Sequence, residues 1–159
     1  MDEVPDSLPL SFRTEAEHFM QEALREAEAA GGEGELPIGA VIVYDGQIVA
    51  RARSAQRRLR TQLAHAELLA LQQLVGDPWQ EATDAVVVTN VEPCPLCLGA
   101  VVMTDIAHVV FAQWDDRAGA HEMLQIPYVR RHIATYHGGL CDGESASVTN
   151  RYGLQLAPP

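Results

Sequence analysis

Two short motifs constrain the fold of this chain more than any other part of its sequence. The first is His-Ala-Glu at residues 65–67, and the second is Pro-Cys-Pro-Leu-Cys at residues 93–97. Together they supply an imidazole, two thiols at an i, i+3 spacing and a carboxylate. Catalytic zinc sites use three protein ligands and leave the fourth position open. We therefore predict a fold that brings three ligands to one zinc ion, namely His65, Cys94 and Cys97.

The residues around each motif indicate the start of a helix. Pro93 and Pro95 flank the first cysteine, and proline is favoured in the first turn of a helix. The two cysteines would then lie on one face of that turn, where the positive end of the helix dipole stabilises thiolates. His65 and Glu67 can converge only if a second helix begins at His65. Glu67 would remain free to move protons.

The two motifs in this order resemble the signature of the cytidine deaminase superfamily. Within it, the chain is similar to the branch of tRNA adenosine deaminases and of bacterial guanine and cytosine deaminases. Residues 35–43 resemble the first strand of that branch, and residues 99–100 and 106–111 resemble its second zinc helix and next strand. The resemblance extends from about Phe12 to about Glu144.

This resemblance implies a three-layer α/β/α fold with a mixed, roughly five-stranded sheet, and the two zinc-bearing helices side by side on one face. It also implies a homodimer and a zinc-dependent hydrolase that releases ammonia from a cyclic amidine. The branch has a substrate-binding asparagine eleven residues before the zinc histidine, where this chain has Ser54. Ser54 lacks the paired donor and acceptor of an amide. The candidate substrate contacts are Ser54, Ala66, Ile38, Glu92 and Trp114.

The rest of the chain predicts an α/β domain over residues 1–159, with residues 1–10 and 155–159 flexible. Helical periodicity begins at Ser11, and Gly76-Asp77-Pro78 marks a break in the chain. The sequence Asp45-Gly46 is a strong hairpin signal between two alternating segments. The predicted strands are Ile38–Tyr44, Gln47–Arg53, Ala85–Thr89, His108–Ala112 and Val129–Tyr136.

Several residues outside the motifs have two interpretations. Trp114 either stacks on a base or packs at a strand end, and Asp115 and Asp116 either bind a substrate amine or lie in a solvated turn. Three histidines without partners at ligand spacing are expected on the surface or in loops, and Cys141 is expected to be buried. Those histidines are His121, His132 and His137.

The charge of the chain limits its partners. The formal net charge is −11 and there is no lysine, which opposes broad contact with phosphates. Residues 51–60 nevertheless concentrate five of the eleven basic residues, all arginines, just before the zinc histidine. This arginine segment is either a solvated face or a rim that attracts an anionic substrate.

The remaining features favour a cytoplasmic enzyme. The chain has three cysteines, and an odd number with two at a metal-ligand spacing does not indicate a disulfide framework. The acidic first residues lack the apolar core of a signal peptide, and no apolar segment is long enough to cross a membrane.

We predict hydrolytic deamination of a free nucleobase, nucleoside or related small heterocycle, with a guanine-like purine favoured. The alternative is deamination of adenosine to inosine in tRNA, which the arginine segment and the first strand support. A second alternative is a non-catalytic, zinc-stabilised protein of the same fold, but such a protein has no need for Glu67. Steep salt dependence of RNA binding distinguishes the tRNA enzyme from the small-molecule enzyme.

Overall fold

The computed structural model describes residues 3–76 and 83–156. Its centre is a five-stranded sheet in the order β2-β1-β3-β4-β5. The strands are β1 (Gly39–Tyr44), β2 (Gln47–Arg53), β3 (Val86–Val91), β4 (His108–Gln113) and β5 (Thr135–Gly138). β1 runs antiparallel to β2 and β3, whereas β3, β4 and β5 run parallel. The predicted α/β fold with a mixed sheet is confirmed.

Seven helices and one 3₁₀ turn connect and cover these strands in the described residues. They are α1 (Leu10–Arg13), α2 (Ala16–Gly32), α3 (Gln56–Leu59), α4 (Ala66–Leu71), α5 (Pro95–Met103), the 3₁₀ turn (His121–Gln125), α6 (Pro127–His132) and α7 (Asp142–Arg151). α2 packs on one face of the sheet and contacts α7. α4, α5 and α6 contribute to the core on the other face.

The alternation of side chains along the strands builds these two cores. In β1, Val41 and Val43 face α2, whereas Ala40 and Ile42 face α4 and α5. β3 is buried at every position because helices cover both of its faces. At Gly39, a Cβ atom would overlap the backbone of α2. Glycine at this position therefore permits the close approach of α2 to the sheet.

The last third of the chain differs from its prediction. Val129–Tyr136 is not one strand, because Pro127 begins helix α6 and only the last two residues of that range belong to β5. The sequence also gave no indication of helix α7. Its hydrophobic residues are too few to form a clear apolar stripe.

The N-terminal segment packs against the domain where the sequence predicted a flexible end. Leu8 is buried, and the Ser7 hydroxyl lies 2.7 Å from that of Thr135. Residues 1–2 and 157–159 lie outside the described residues, as do Asp77 and Pro78 of the predicted break.

Part of the arginine segment forms ion pairs with α2. Arg51 donates to Glu22 at 3.1 Å, and Arg53 donates to Glu33 at 2.6 Å and to Glu26 at 3.2 Å. These arginines therefore hold β2 against α2. Among residues 3–76 and 83–156, no helix has the length and apolar character needed to span a membrane.

Candidate active site

The first turns of α4 and α5 carry the residues of the two motifs. His65 directly precedes α4 and Cys94 directly precedes α5, both in extended backbone conformations, and Cys97 lies in the first turn of α5. His65 Nδ1 is 3.5 Å from the Sγ atoms of both cysteines. Ligands bound tetrahedrally to zinc at about 2.0 and 2.3 Å would be separated by a similar distance, about 3.5 Å. The three residues are positioned to bind a metal ion, and their donor atoms suit zinc.

The pKa values of the two thiols are shifted in opposite directions. A hydrogen bond from the Cys97 thiol lowers the pKa of Cys94 to about 5. The neighbouring Cys94 and burial raise the pKa of Cys97. A divalent cation deprotonates coordinating thiols, so the site is organised to ionise fully once a metal binds.

Glu67 lies beside this cluster and is almost fully buried. The Thr89 hydroxyl donates to Glu67 Oε1 at 3.3 Å, and Cys97 Sγ lies 3.4 Å from Oε2. Burial raises the pKa of Glu67 above its ordinary value. A carboxyl group in such surroundings can hold and release a proton closer to neutral pH than an exposed one.

A cavity of about 240 Å³ opens onto His65, Glu67 and Cys94. Three of the predicted substrate contacts line it, namely Ile38, Ser54 and Glu92. The other lining residues are Leu36, Gln56, Val91, Asp115, Ala118, Leu154 and Leu156. The cavity therefore combines apolar walls with a few polar groups near the metal ligands, as small-molecule sites commonly do.

The other two predicted contacts lie elsewhere. Ala66 is fully buried at the start of α4 and is not among the lining residues. Trp114 is also absent from the cavity lining. Its ring packs against Phe111, Tyr136 and His121 at centroid distances of 4.7, 6.4 and 5.9 Å. This placement favours packing over base stacking for Trp114.

Glu92 is buried, and four protein groups lie within hydrogen-bonding distance of its carboxylate. Oε1 accepts from the His121 backbone N–H at 3.0 Å and the Tyr136 hydroxyl at 2.9 Å, and His121 Nδ1 lies 2.8 Å away. Oε2 accepts from the Asp115 N–H at 3.0 Å. Burial and the Glu92 charge raise the pKa of Tyr136. Glu92 therefore contacts both the ring and the backbone of His121, which begins the 3₁₀ turn and lies outside the metal cluster.

Asn90, which no sequence pattern singled out, holds another segment that lines the cavity. Its fully buried side chain accepts from the Gly39 N–H at 2.9 Å and donates to the Pro37 carbonyl at 3.1 Å. These bonds fix the segment that carries Leu36 and Ile38. Asn90 lies near the end of β3 and Glu92 directly follows the strand. A polar residue at the end of a β-branched segment does not by itself indicate which distant groups it bonds.

The C-terminal segment also contributes unexpectedly to the cavity. Leu154 and Leu156 line it, and Arg117 donates to the Gln155 carbonyl at 2.8 Å. Gln56, at the start of α3, lines the same cavity. The sequence offered no signal for this arrangement because it depends on how the chain returns to the site after α7.

The chain is similar in sequence to known deaminases. The protein-family model for the cytidine and deoxycytidylate deaminase zinc-binding region matches residues 13–113. The tRNA-specific adenosine deaminase of Bacillus subtilis is 40% identical over 113 residues, which cover 70% of each chain.

Two solved structures are also similar. One comes from studies of A-to-I editing by tRNA:A34 deaminases at the wobble position of transfer RNA. It is 33% identical in sequence and has a TM-score of 0.74, and the match covers 82% of this chain and 98% of the chain in that structure. The other is guanine deaminase from Bacillus subtilis, which is 32% identical with a TM-score of 0.56, covering 62% of this chain and 64% of that one.

Proposed function

Because this chain belongs to the cytidine and deoxycytidylate deaminase family and is a zinc-dependent hydrolytic deaminase, we propose that it converts adenosine to inosine in transfer RNA. The observation that carries this proposal is its 40% identity to a tRNA-specific adenosine deaminase. The similarity to a tRNA:A34 deaminase structure over 98% of that chain adds support. The proposal reverses the order of the sequence-based predictions, in which a purine base was favoured.

The reaction begins with proton transfer at Glu67. His65, Cys94 and Cys97 would hold the zinc ion, which would lower the pKa of a bound water molecule to about 7 and so make it a nucleophile at neutral pH. The Glu67 carboxylate accepts a proton from this water and delivers it to the ring nitrogen next to the carbon under attack. It then takes the proton of the hydroxyl group newly formed on that carbon and passes it to the amine, so that the C–N bond breaks, a carbonyl forms and ammonia leaves. The hydrogen bond from Thr89 orients the carboxylate during both transfers.

The cavity holds the base against Glu67. Ile38 and Val91 supply apolar wall, and Ser54 supplies a hydroxyl that donates or accepts one hydrogen bond. The N–H of Ala66, at the start of α4, is assigned to the substrate only by the resemblance to the deaminase branch. These contacts orient the base, whereas Glu67 transfers protons to it.

The arginine segment supports an RNA substrate. Arg57 and Arg58 lie on α3 and Arg60 follows it, and all three side chains are exposed beside Gln56, which lines the cavity. Arg51 and Arg53 are already paired with Glu22 and Glu26 of α2. The three exposed arginines can therefore attract phosphates near the site although the whole chain is acidic.

A free purine base is the second candidate substrate, and the leucines that line the cavity favour it. Leu36, Leu154 and Leu156 line the cavity, and apolar side chains suit a neutral ring better than a phosphodiester. The formal net charge of −11 disfavours polyanions. The similarity to a guanine deaminase agrees with this candidate.

A single assay separates the two candidates. Ammonia release by the zinc-loaded protein is measured with an adenosine-bearing anticodon stem-loop and with guanine, adenine, cytosine and their nucleosides. Turnover of the stem-loop alone, with an affinity that falls steeply with salt, is expected. Turnover of one free base without turnover of the RNA would contradict the tRNA proposal and favour the second candidate.

The proposal includes a homodimer, which the resemblance implies. Four exposed apolar side chains support it: Leu96 (40% exposed), Met103 (71%), Ile126 (47%) and Tyr128 (45%). They lie on or next to α5 and α6, which contact each other on one face of the sheet. Exposed apolar groups in one region are typical of an interface. Sedimentation equilibrium gives twice the 17.3 kDa chain mass if the homodimer forms and the chain mass if it does not.

A further inference from the structure

The segment between β4 and the 3₁₀ turn, residues 114–120, forms one wall of the cavity. Asp115 and Ala118 are the members of this segment that line it. Asp115 Oδ1 accepts from the N–H groups of Arg117 and Ala118 at 3.1 and 3.2 Å, so the wall turns sharply at Asp115. Such a turn is stabilised locally, but its distance from the metal ligands depends on contacts outside the segment.

Those contacts come from Glu92 and Pro93, directly before the zinc ligand Cys94. Glu92 Oε2 accepts from the N–H of Asp115, at the beginning of the wall, and Oε1 accepts from the N–H of His121, directly after it. The Pro93 carbonyl accepts from the N–H of Ala120 at 3.0 Å. Both ends of the wall are therefore attached to the residues that lead into α5.

The packing between these attachments is close. A Cβ atom at Gly119 would overlap the Glu92 carboxylate, so the backbone of the wall lies directly against it. The Tyr136 hydroxyl and His121 Nδ1 occupy the remaining approaches to Oε1. With both oxygens bonded to protein groups, the carboxylate has little capacity left for a substrate.

We propose that Glu92 is a positioning residue, which sets the distance between the 114–120 wall and the metal ligands and so determines how tightly the substrate base is held. This role differs from the direct substrate contact that the sequence analysis predicted for Glu92. The effect on substrate binding rests on the proposed deaminase function, whereas the effect on the wall does not.

The first test needs no substrate. Amide hydrogen exchange is measured by NMR on the zinc-loaded protein and on Glu92→Gln, in which an amide NH₂ replaces one of the accepting oxygens. The amides of Asp115 and His121 are expected to exchange at least tenfold faster, while those of β1 keep their rates and the zinc content is unchanged. Unchanged exchange at both amides would overturn the proposal.

The second test distinguishes positioning from a general loss of stability. With the substrate found in the ammonia-release panel, Glu92→Gln is expected to raise KM at least tenfold and to change kcat per bound zinc less than threefold. Leu140→Ala is the matched control, because Leu140 is fully buried in the core on the α2 side of the sheet. It should lower the melting temperature without changing KM.

The two tests distinguish a positioning role of Glu92 from a purely structural role and from failure of the proposed function. A fall in kcat that follows the melting temperature, with KM unchanged as in Leu140→Ala, would make Glu92 merely structural. If Glu92→Gln does not fold, Tyr136→Phe removes a single donor to Oε1 and should raise KM by a smaller factor; an unchanged KM in that variant would contradict the proposal. If no substrate is turned over, the proposed function fails, and the exchange rates still decide whether Glu92 holds the wall.

Discussion

The inner and outer parts of the cavity are built in different ways. At the inner end, His65, Glu67, Cys94 and Cys97 come from two motifs, each at the start of a helix. At the outer end, the walls come from separate segments of the chain, and the buried side chains of Asn90 and Glu92 hold two of them in place.

We therefore expect the inner end to determine the chemical reaction and the outer end to determine which substrate binds. The inner groups are placed by helix starts that lie within a few residues of them in the chain. The outer walls depend on hydrogen bonds between residues separated by 23 to 53 positions. Changes at the inner end should therefore abolish the reaction, whereas changes at the outer end should alter binding or stability and leave the metal in place.

The largest effect is expected for Cys94→Ala. This variant should lose bound zinc and all measurable activity, because two protein ligands rarely hold zinc in a catalytic site. Zinc content by atomic absorption tests the prediction. Cys141→Ala is the matched control, since Cys141 lies outside the metal cluster, and it should keep its zinc. Full zinc occupancy in Cys94→Ala would overturn the ligand assignment.

Glu67→Gln should keep zinc and lower kcat by a factor of about 10² to 10⁴, the usual contribution of a positioned acid–base group. The amide cannot accept the proton that the carboxylate takes from water. Steady-state ammonia release measures the change, and Glu17→Gln on the exposed face of α2 is the control. If kcat remained within tenfold of the original value, Glu67 would have no role in proton transfer.

At the outer end, Asn90→Ala should lower the free energy of unfolding by about 1–3 kcal/mol, because it leaves the buried N–H of Gly39 and carbonyl of Pro37 without partners. Urea denaturation provides the measurement, with Asn150→Ala at an exposed position as the control. Zinc content should stay the same. A loss of zinc would mean that the two ends of the cavity are not independent.

The smallest effect concerns acid stability. The backbone N–H groups of Arg57 and Arg58 bond to Glu35 and lower its pKa below the ordinary value. A carboxyl with a lowered pKa stabilises the fold at pH values above its unfolded pKa, and this contribution disappears as pH falls through the folded pKa. Glu35→Gln should therefore have a lower melting temperature at pH 7, and its melting temperature should fall less steeply than that of the original protein as the pH is lowered below 5. Melting temperatures against pH test this, and parallel curves would contradict it.

The sequence predicted the inner end because each motif is short and carries its own helix start, although the two motifs lie 29 to 32 positions apart. Spacing, the prolines beside Cys94 and the resemblance to the deaminase signature together predicted the cluster of His65, Cys94 and Cys97, and Asp45-Gly46 predicted the hairpin. The outer end was predicted only in part. Ser54 and Ile38 do line the cavity, but the hydrogen bonds of Glu92 and Asn90 join distant segments that no local pattern connects.

The errors after residue 120 have a related cause. Val129 and Ile133 are β-branched and favour strands, yet Pro127 begins a helix and the chain reaches β5 only at Thr135. Tertiary packing overrides local propensity where a segment is short. The contribution of Leu154 and Leu156 to the cavity follows from the same long-range return of the chain.

The three leucines that line the cavity have a consequence for directed evolution. Leu36, Leu154 and Leu156 line the cavity through side chains that form no hydrogen bonds and bind no metal. Their replacement leaves no buried polar group unsatisfied, so the fold should tolerate many residue types there. A combinatorial library at these three positions is therefore the most economical route to variants with altered substrate range.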